Sequence, residues 1–425
     1  MRQNSYRPVQ RRVLRVGLAL TAILLFGPAG ATAEPLFVGP DDDADHASLQ
    51  TAIDAADHGD RIEVKPGTYD PVTIEESIVL AASDGAVIDV SDADWDEGGI
   101  TIRSGEPLVD GFTVVGPEAH MTHRDDGPTG IYAEGTAGGW VVRNVTTRKV
   151  TYGVWAAETT GDWTVENATL EEGRTGVFAG GSRGDWTVAD THARNNSLQG
   201  INARGDSDWA IRRTVIADSP MRPGVDATRT AGDWTVENVS VRNAQGGIIA
   251  EGTTGEWTIR NAEIRTVPEH DVPAPERTEA GISVAGASGR WAIRDVDVAE
   301  ISGADFDASN ASSGVVDGVW WGDDRERGNC LGSVDCRTER DAPPEIDVGS
   351  AGGPTRSFDE SATSSEPNGG ASTDVEPEPS DDGNTTEAGS DRPEAVENQA
   401  GLSIAIALSA IVGAAVVSKR YAGDP

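Results

Sequence analysis

The sequence predicts an all-β fold, a single-stranded parallel β-helix of about ten 23-residue coils. Three observations predict it. Trp140, Trp163, Trp186, Trp209, Trp234 and Trp257 recur at intervals of 23, 23, 23, 25 and 23 residues, and Trp291 follows after 34. A glycine stands ten residues before nearly every one, at Gly130, Gly153, Gly176, Gly224, Gly247 and Gly281, with Gly200 nine before its Trp. Between these marks apolar residues alternate at period two, the period of a strand. A repeat of roughly 20–50 residues denotes a solenoid, a propeller or an array. Propeller blades need about 40–45 residues and four strands each, which this unit lacks.

Each unit divides into three short strands. The first carries Ile131, Val154, Val177, Ile201, Val225, Ile248 and Ile282. Two residues on it carries Ala133, Ala156, Ala179, Ala203, Ala227, Ala250 and Val284. The second begins at the Trp and has Val165, Val188, Ile211, Val236 or Ile259 two positions later. A polar residue follows, at Asn144, Asn167, Asp190, Arg213, Asn238, Asn261 and Asp295. A third apolar pair closes the unit, as in Val239 with Val241 and Val296 with Val298. No room remains for a helix. Asn tolerates the left-handed conformation that a one-residue bend requires. Stacked coils lie ~4.8 Å apart, so Asn144, Asn167, Asn238 and Asn261 form a candidate hydrogen-bonded ladder. The tryptophans share a face with the Val/Ile set and read as an inward, stacked core column of Trp140, Trp163, Trp186, Trp209, Trp234, Trp257 and Trp291.

Upstream of the repeat, the stretch Ser48-Leu49-Gln50-Thr51-Ala52-Ile53-Asp54-Ala55-Ala56, followed by Gly59-Asp60-Arg61-Ile62-Glu63-Val64-Lys65-Pro66-Gly67-Thr68-Tyr69, resembles the N-terminal cap of right-handed β-helix proteins. Val109-Asp110-Gly111-Phe112-Thr113-Val114 resembles another of their rungs, and Trp320-Trp321-Gly322 an ending seen in some members. The resemblance, over about residues 36–340, is to the pectin-lyase-like group, which includes pectate lyases, pectin methylesterases and the periplasmic β-helix protein of copper-enzyme maturation. It implies a right-handed coil. It says little of function, because the fold hosts lyases, hydrolases, esterases and non-enzymes. Residues 48–57, with Leu49, Ile53 and Ala56 on one face, read as a helix covering the first coil.

The 71 acidic residues outweigh 34 basic ones, for a net charge of −37. This argues against nucleic-acid partners and against attraction to anionic lipid. Lysine occurs only at Lys65, Lys149 and Lys419. Strong acidity with almost no lysine suggests adaptation to high salt, as in a haloarchaeon-like source, where self-repulsion is screened.

The ends imply export and anchoring. Residues 1–33 read as a signal peptide: Arg2, Arg7, Arg11, Arg12 and Arg15, an apolar run from Val16 to Gly27, then Ala31-Thr32-Ala33. Arg11-Arg12 partly resembles a twin-arginine signal. Residues 34–345 form the β-helix, with a cap at 36–60, regular coils at 130–300 and a C-terminal cap at 301–345. Residues 346–399, rich in Ser, Gly, Pro, Thr, Asp and Glu, read as a disordered stalk. Residues 401–418 hold no charged side chain and span about 27 Å as a helix, enough for a transmembrane anchor. Lys419 and Arg420 place the tail 419–425 in the cytoplasm and the β-helix at the cell surface. Cys330 and Cys336 suit a disulfide in an exported chain, with metal binding as the rival reading. Asn310 and Asn384 open glycan sequons.

Chemistry is sought on the outward positions. Tyr132, Trp155 and Phe178 occupy one outward column on consecutive coils, followed by Asn202 and Asp226, and read as a candidate strip for stacking sugar rings. Two loops entering the first strand are long. Residues 116–129 hold His123, Asp125 and Asp126, the best acid/base candidates. The paired aspartates are also a candidate Ca²⁺ site, and equally an ordinary acidic turn. Residues 266–280 hold His270, Asp271, Glu276 and Arg277. Across rungs of the second strand, Arg143 is expected to pair with Glu166 and Arg212 with Glu237. No phosphate loop, paired-histidine metal motif or nucleophile elbow is present. With 6 His, 3 Met and 2 Cys, soft-metal transport is disfavoured. Two readings follow: a surface protein that binds glycan or stiffens the envelope, or a lyase or hydrolase of acidic polysaccharide centred on the 116–129 loop.

Overall fold

The computed structural model describes residues 34–93, 98–117, 127–266, 280–301, 304–312, 314–321 and 330–332. All lie in the first of two units, Met1–Phe358; the second, Asp359–Pro425, lies wholly outside them. The expected signal peptide, stalk, anchor and cytoplasmic tail therefore fall outside the described residues. So do Cys336, the side chain of Cys330, Asn384, and the parts of the two long loops at 118–126 and 267–279. Among the described residues no helix is long and apolar enough to cross a membrane.

The described chain is strands wound into rungs. One rung runs through Thr129–Tyr132, Trp140–Arg143 and Thr146–Arg148, and the next through Tyr152–Trp155, Trp163–Glu166 and Thr169–Glu171. Every strand pairs in parallel with its counterpart one rung on, so Trp140 stands opposite Trp163, Ile131 opposite Val154 and Thr146 opposite Thr169. The first strands form an eleven-stranded sheet from Val72–Ile74 to Cys330–Gly332. The second and third strands form the other sheet, which wraps around a bend. From Trp209 onward they run on as single strands, Trp209–Ser219, Trp234–Ala244 and Glu256–Thr266.

Left-handed residues make the corners. Asn144, Asn167, Asp190, Arg213, Asn238, Asn261 and Asp295 all have φ between 46° and 55° at the bend between second and third strands. Asn and Asp tolerate this region because their short polar side chains bond locally. The amide of Asn167 donates to Asn144 at 2.5 Å, that of Asn144 to Asp110 at 2.6 Å, and that of Asn261 to Asn238 at 3.1 Å. Between these runs Arg213 takes the bend and donates to Asp190 at 2.6 and 2.5 Å, so an ion pair stands between two amide segments of the column. A second left-handed corner ends the third strand, at Lys149, Glu172, Asn195, Asp218, Asn243 and Glu300. A third follows the first strand, at Gly135, Glu158, Gly181, Arg229, Gly252, Gly286 and Asn310. Three such corners close a rung.

The repeated glycine has a steric cause. A Cβ at Gly130 would sit 2.6 Å from the Gly153 carbonyl and 2.6 Å from the Thr147 methyl; one at Gly153 would meet the Gly176 carbonyl at 2.6 Å. Backbone of the neighbouring rung passes where a side chain would go, so only glycine fits.

The lumen is apolar, and aromatic on one side. The seven indoles from Trp140 to Trp291 are at most 3% exposed. They stack face to face with centroids 4.6–5.6 Å apart and planes within 12°. Rung spacing imposes this distance, since identical residues in register can only lie over one another. Small hydroxyls satisfy some indole N–H groups: Trp140 donates to Thr136 at 3.1 Å, Trp163 to Thr159 at 3.0 Å and Trp186 to Ser207 at 3.0 Å. Phe306 and Trp321 extend the aromatic run beyond Trp291, Phe306 meeting Trp291 edge-on and Trp321 at a tilt.

At the other end lies a short helix, α1, Leu49–Ala55, capped by Ser48, whose hydroxyl accepts the Thr51 N–H. Leu49, Ala52 and Ile53 are buried. The helix packs on the strands Leu36–Val38, Arg61–Val64 and Val72–Ile74. The Gln50 amide clasps both the N–H and the carbonyl of Thr73.

The outer face of the second strands carries ion pairs, though not those expected. Arg143 reaches back to Asp110 at 2.8 Å rather than to Glu166, and Glu237 receives Arg260 at 2.6 Å rather than Arg212. Register puts an acid on a neighbouring rung in each case, and Arg143 donates to one Asp110 oxygen from two of its guanidinium nitrogens, Nε and Nη2. Just before the tryptophans stands a column of like charge: Asp162, Asp185, Asp208 and Asp233. The backbone N–H of Asp185 donates to Asp162 at 2.9 Å and that of Asp233 to Asp208 at 2.6 Å. Partial burial, with the charges of Asp162 and Asp208 on either side, holds the Asp185 carboxyl above the usual aspartate range.

Two outcomes follow. Trp186→Ala removes an indole stacked on both faces and lowers the unfolding free energy by about 3–5 kcal/mol in equilibrium denaturation. A loss below about 1 kcal/mol would show the column to be dispensable. Asp185 binds its proton more readily folded than unfolded, so its charge weakens the fold as pH rises through the carboxylate range. Asp185→Asn should then raise the melting temperature at neutral pH. The gain should vanish in acid below that range and shrink with added salt. A gain independent of pH would contradict the repulsion argument.

Candidate functional site

The first-strand sheet presents its outward residues in one column because each strand is paired in register. Thr101, Tyr132, Trp155, Phe178, Asn202, Asp226, Ile249 and Ser283 follow one another along it. Trp155 and Phe178 stack with centroids 4.5 Å apart and planes 12° from parallel. Tyr152, three residues before Trp155, meets that indole edge-on at 4.4 Å and Phe178 at 5.7 Å. These geometries are favoured by the aromatic quadrupole and fix the rings in place. All four aromatic side chains, Tyr132 included, are half-buried, leaving one face of the strip at the surface.

Charged groups border the strip. The Tyr132 hydroxyl bonds to the Glu134 carboxylate, and the Arg103 guanidinium lies 5.7 Å from the centre of the Tyr132 ring. Arg174 donates to the Tyr152 hydroxyl at 3.2 Å. Burial pushes the Tyr152 phenol above its ordinary pKa. Burial, with Arg222 nearby, pulls the Arg174 guanidinium below its own. The Trp155 indole N–H is shielded and meets no acceptor among the described residues.

Asn202 and Asp226 do not extend the strip. They are 8% and 3% exposed, against the expectation that they face a ligand. Asp226 is held by Arg204 at 2.5 Å and by the Thr228 N–H at 3.1 Å, while Asn202 accepts the Arg204 N–H at 3.2 Å. Both carry out turn fixation: the segment after the first strand folds back over them. Ile249 and Ser283 are buried as well, and Thr101 closes the other end. The open length is therefore the three rungs of Tyr132, Trp155 and Phe178.

His123, Asp125 and Asp126 lie outside the described residues; the described chain resumes at Gly127 and leads into the strand that bears Tyr132. Among the described residues no group of three His, Cys, Asp or Glu is arranged to hold a metal ion. Asn310 is exposed, at a left-handed corner of its rung. Tyr152 and the arginines at the rim escaped the sequence reading. Tyr152 shares its register position with the buried Thr129, Thr175 and Gln199, so alternation does not mark it as exposed, and turn arginines have no fixed spacing.

The search of curated protein sequences finds no match. Three solved structures are similar in outline. The catalytic unit of the thermostable GH87 alpha-1,3-glucanase from Streptomyces thermodiastaticus strain HF3-3 shares 15% identity over 67% of this chain and 66% of its own, with a TM-score of 0.38. The chain thus spans just under two thirds of that unit. The mannuronan C-5 epimerase AlgE4 A-module of Azotobacter vinelandii shares 13% over 64% and 90%, with a TM-score of 0.36. Pectate lyase Pel9A shares 19% over 67% of each chain, with a TM-score of 0.37. Likenesses this low bear on neither substrate nor chemistry. The family model of the right handed beta helix region matches residues 129–298, the very rungs that carry the indole column and the aromatic strip. Together with the all-parallel strands and their register, that match makes the repeat a right-handed parallel β-helix.

Proposed function

We propose that this chain is a cell-surface protein that binds glycan along its first-strand sheet, with Tyr132, Trp155 and Phe178 as the stacking platform. The stacked pair of Trp155 and Phe178 on the outside of a rigid sheet carries the reading. Aromatic rings at the surface lose solvent only when a ligand covers them, and a sugar ring offers a matching flat C–H face. The scaffold holds the rings before any ligand arrives, so little ordering cost falls on binding.

In this reading residues 1–33 export the chain, residues 401–418 anchor it, and the acidic segment 346–399 lifts the β-helix from the membrane. Asn310 and Asn384 then face the compartment in which glycans are added, and Cys330 and Cys336 pair. The competing reading, a lyase or hydrolase, is favoured by the point at which the 116–129 loop returns, directly beside Tyr132.

The test incubates the full chain, in multimolar salt with Ca²⁺, with a panel of neutral and uronic-acid polysaccharides. Retention is followed by affinity electrophoresis, and chain length and ultraviolet absorbance in parallel. Intact chains retained by the protein, with retention weakened about tenfold by Trp155→Ala, support the platform. Unchanged retention in that variant would overturn it. Shortened chains, with turnover lost in Asp125→Asn, would move the assignment to the enzyme.

A further inference from the structure

We propose a second ligand groove, on a different sheet from the aromatic strip, that takes a neutral polyhydroxylated chain such as an oligosaccharide. It follows the outer corner between second and third strands, where an open cleft of about 480 Å³ is lined by residues from Ala82 to Arg194. Five successive rungs contribute, so its length along the axis is roughly 19 Å by the rung spacing.

Threonine side chains line its floor. Thr113, Thr146 and Thr169 stand in register on the third strands, one per rung. A row of hydroxyls at this spacing repeats at about the length of one sugar ring, and it runs parallel to the axis as an extended chain would. The corner residue Asn144 adds an amide. The same column fills beyond this point. His192 and Val215 replace threonine, and at the corner Arg213 spans back to Asp190. The groove is therefore confined to the N-terminal rungs by the side chains that succeed Thr169.

Asp84, Asp110, Arg148, Glu171 and Arg194 line it, and Asp110, Glu171 and Arg194 are matched by ion pairs. Asp110 receives Arg143 at 2.8 Å and the Asn144 amide at 2.6 Å, and Glu171 receives Arg194 at 2.7 Å. An ionic ligand would have to displace these partners. A hydroxyl-bearing ligand gains hydrogen bonds to carboxylate and guanidinium groups that keep them, and bonds to charged groups are the stronger kind. Among the described residues no aromatic ring lines the cleft, so recognition here is through hydroxyl groups at the ring edge rather than by stacking. Two grooves on separate sheets would let one molecule hold two chains.

The experiment titrates the full chain and its Trp155→Ala variant with cellohexaose, laminarihexaose and mannohexaose, by calorimetry in low and high salt. At least one should bind Trp155→Ala as tightly as the unaltered chain, with an affinity that does not fall with salt. Thr146→Tyr, which fills the groove, should weaken that binding about tenfold. Thr146→Val, which keeps the shape and removes one hydroxyl, should weaken it by a smaller factor. Near-ultraviolet circular dichroism of the indole column reports whether each variant is folded, and if Thr146→Tyr is not, Thr146→Val decides. Binding lost in Trp155→Ala and unmoved by either Thr146 variant would overturn the groove while supporting the platform. Binding lost in Thr146→Tyr and unmoved in Trp155→Ala would support the groove and show that this ligand does not sit on the platform. No binding by any of the three saccharides would overturn the groove.

Discussion

Register between rungs is the constraint on which the rest of this molecule depends. Each strand pairs in parallel with its counterpart one turn later, and that pairing puts like residue over like residue along the whole axis. Seven indoles can stack within 12° of parallel only because no rung slips. A shift of one residue would turn every indole outward and every surface residue inward. The column and the ladder of backbone hydrogen bonds therefore stabilise each other, and the longer intervals of 25 and 34 are taken up without loss of register.

Closing a coil in so few residues has a conformational cost. Three corners per rung hold residues at positive φ, which for a residue other than glycine costs about 1–2 kcal/mol each. Asn, Asp and Gly lower that cost at many corners. Where Arg213 occupies one, its bonds to Asp190 offset it. The acidic column before the tryptophans is a further burden, since aspartates on adjacent rungs repel and Asp185 titrates upward in consequence. Indole stacking in the lumen offsets both.

The same register that orders the core orders the surface. Trp155 and Phe178 lie over one another outside the first sheet for the reason that Trp163 and Trp186 do inside the second. Repetition builds extended surface features from single residues: three aromatics on successive coils give a strip, and three threonines on successive coils give a row. Long ligands that themselves repeat are the natural match to such surfaces.

The interval of the tryptophans, the glycine ten residues ahead and the alternation around them determined the parallel rungs, because each is a covalent spacing that only one winding satisfies. Asn144 and its counterparts marked one corner, because few residue types accept it. The corner at Lys149, Glu172 and Asn195 was silent, since no residue type unites it. Tertiary structure alone decided which outward residues reach solvent. Asn202 and Asp226 alternate outward as Trp155 does, yet Arg204 and its turn bury them, and the arginine partners of Asp110 and Glu237 were likewise chosen in space. Alternation along a strand tells which side a residue takes; what then covers it depends on turns whose paths the repeat does not encode.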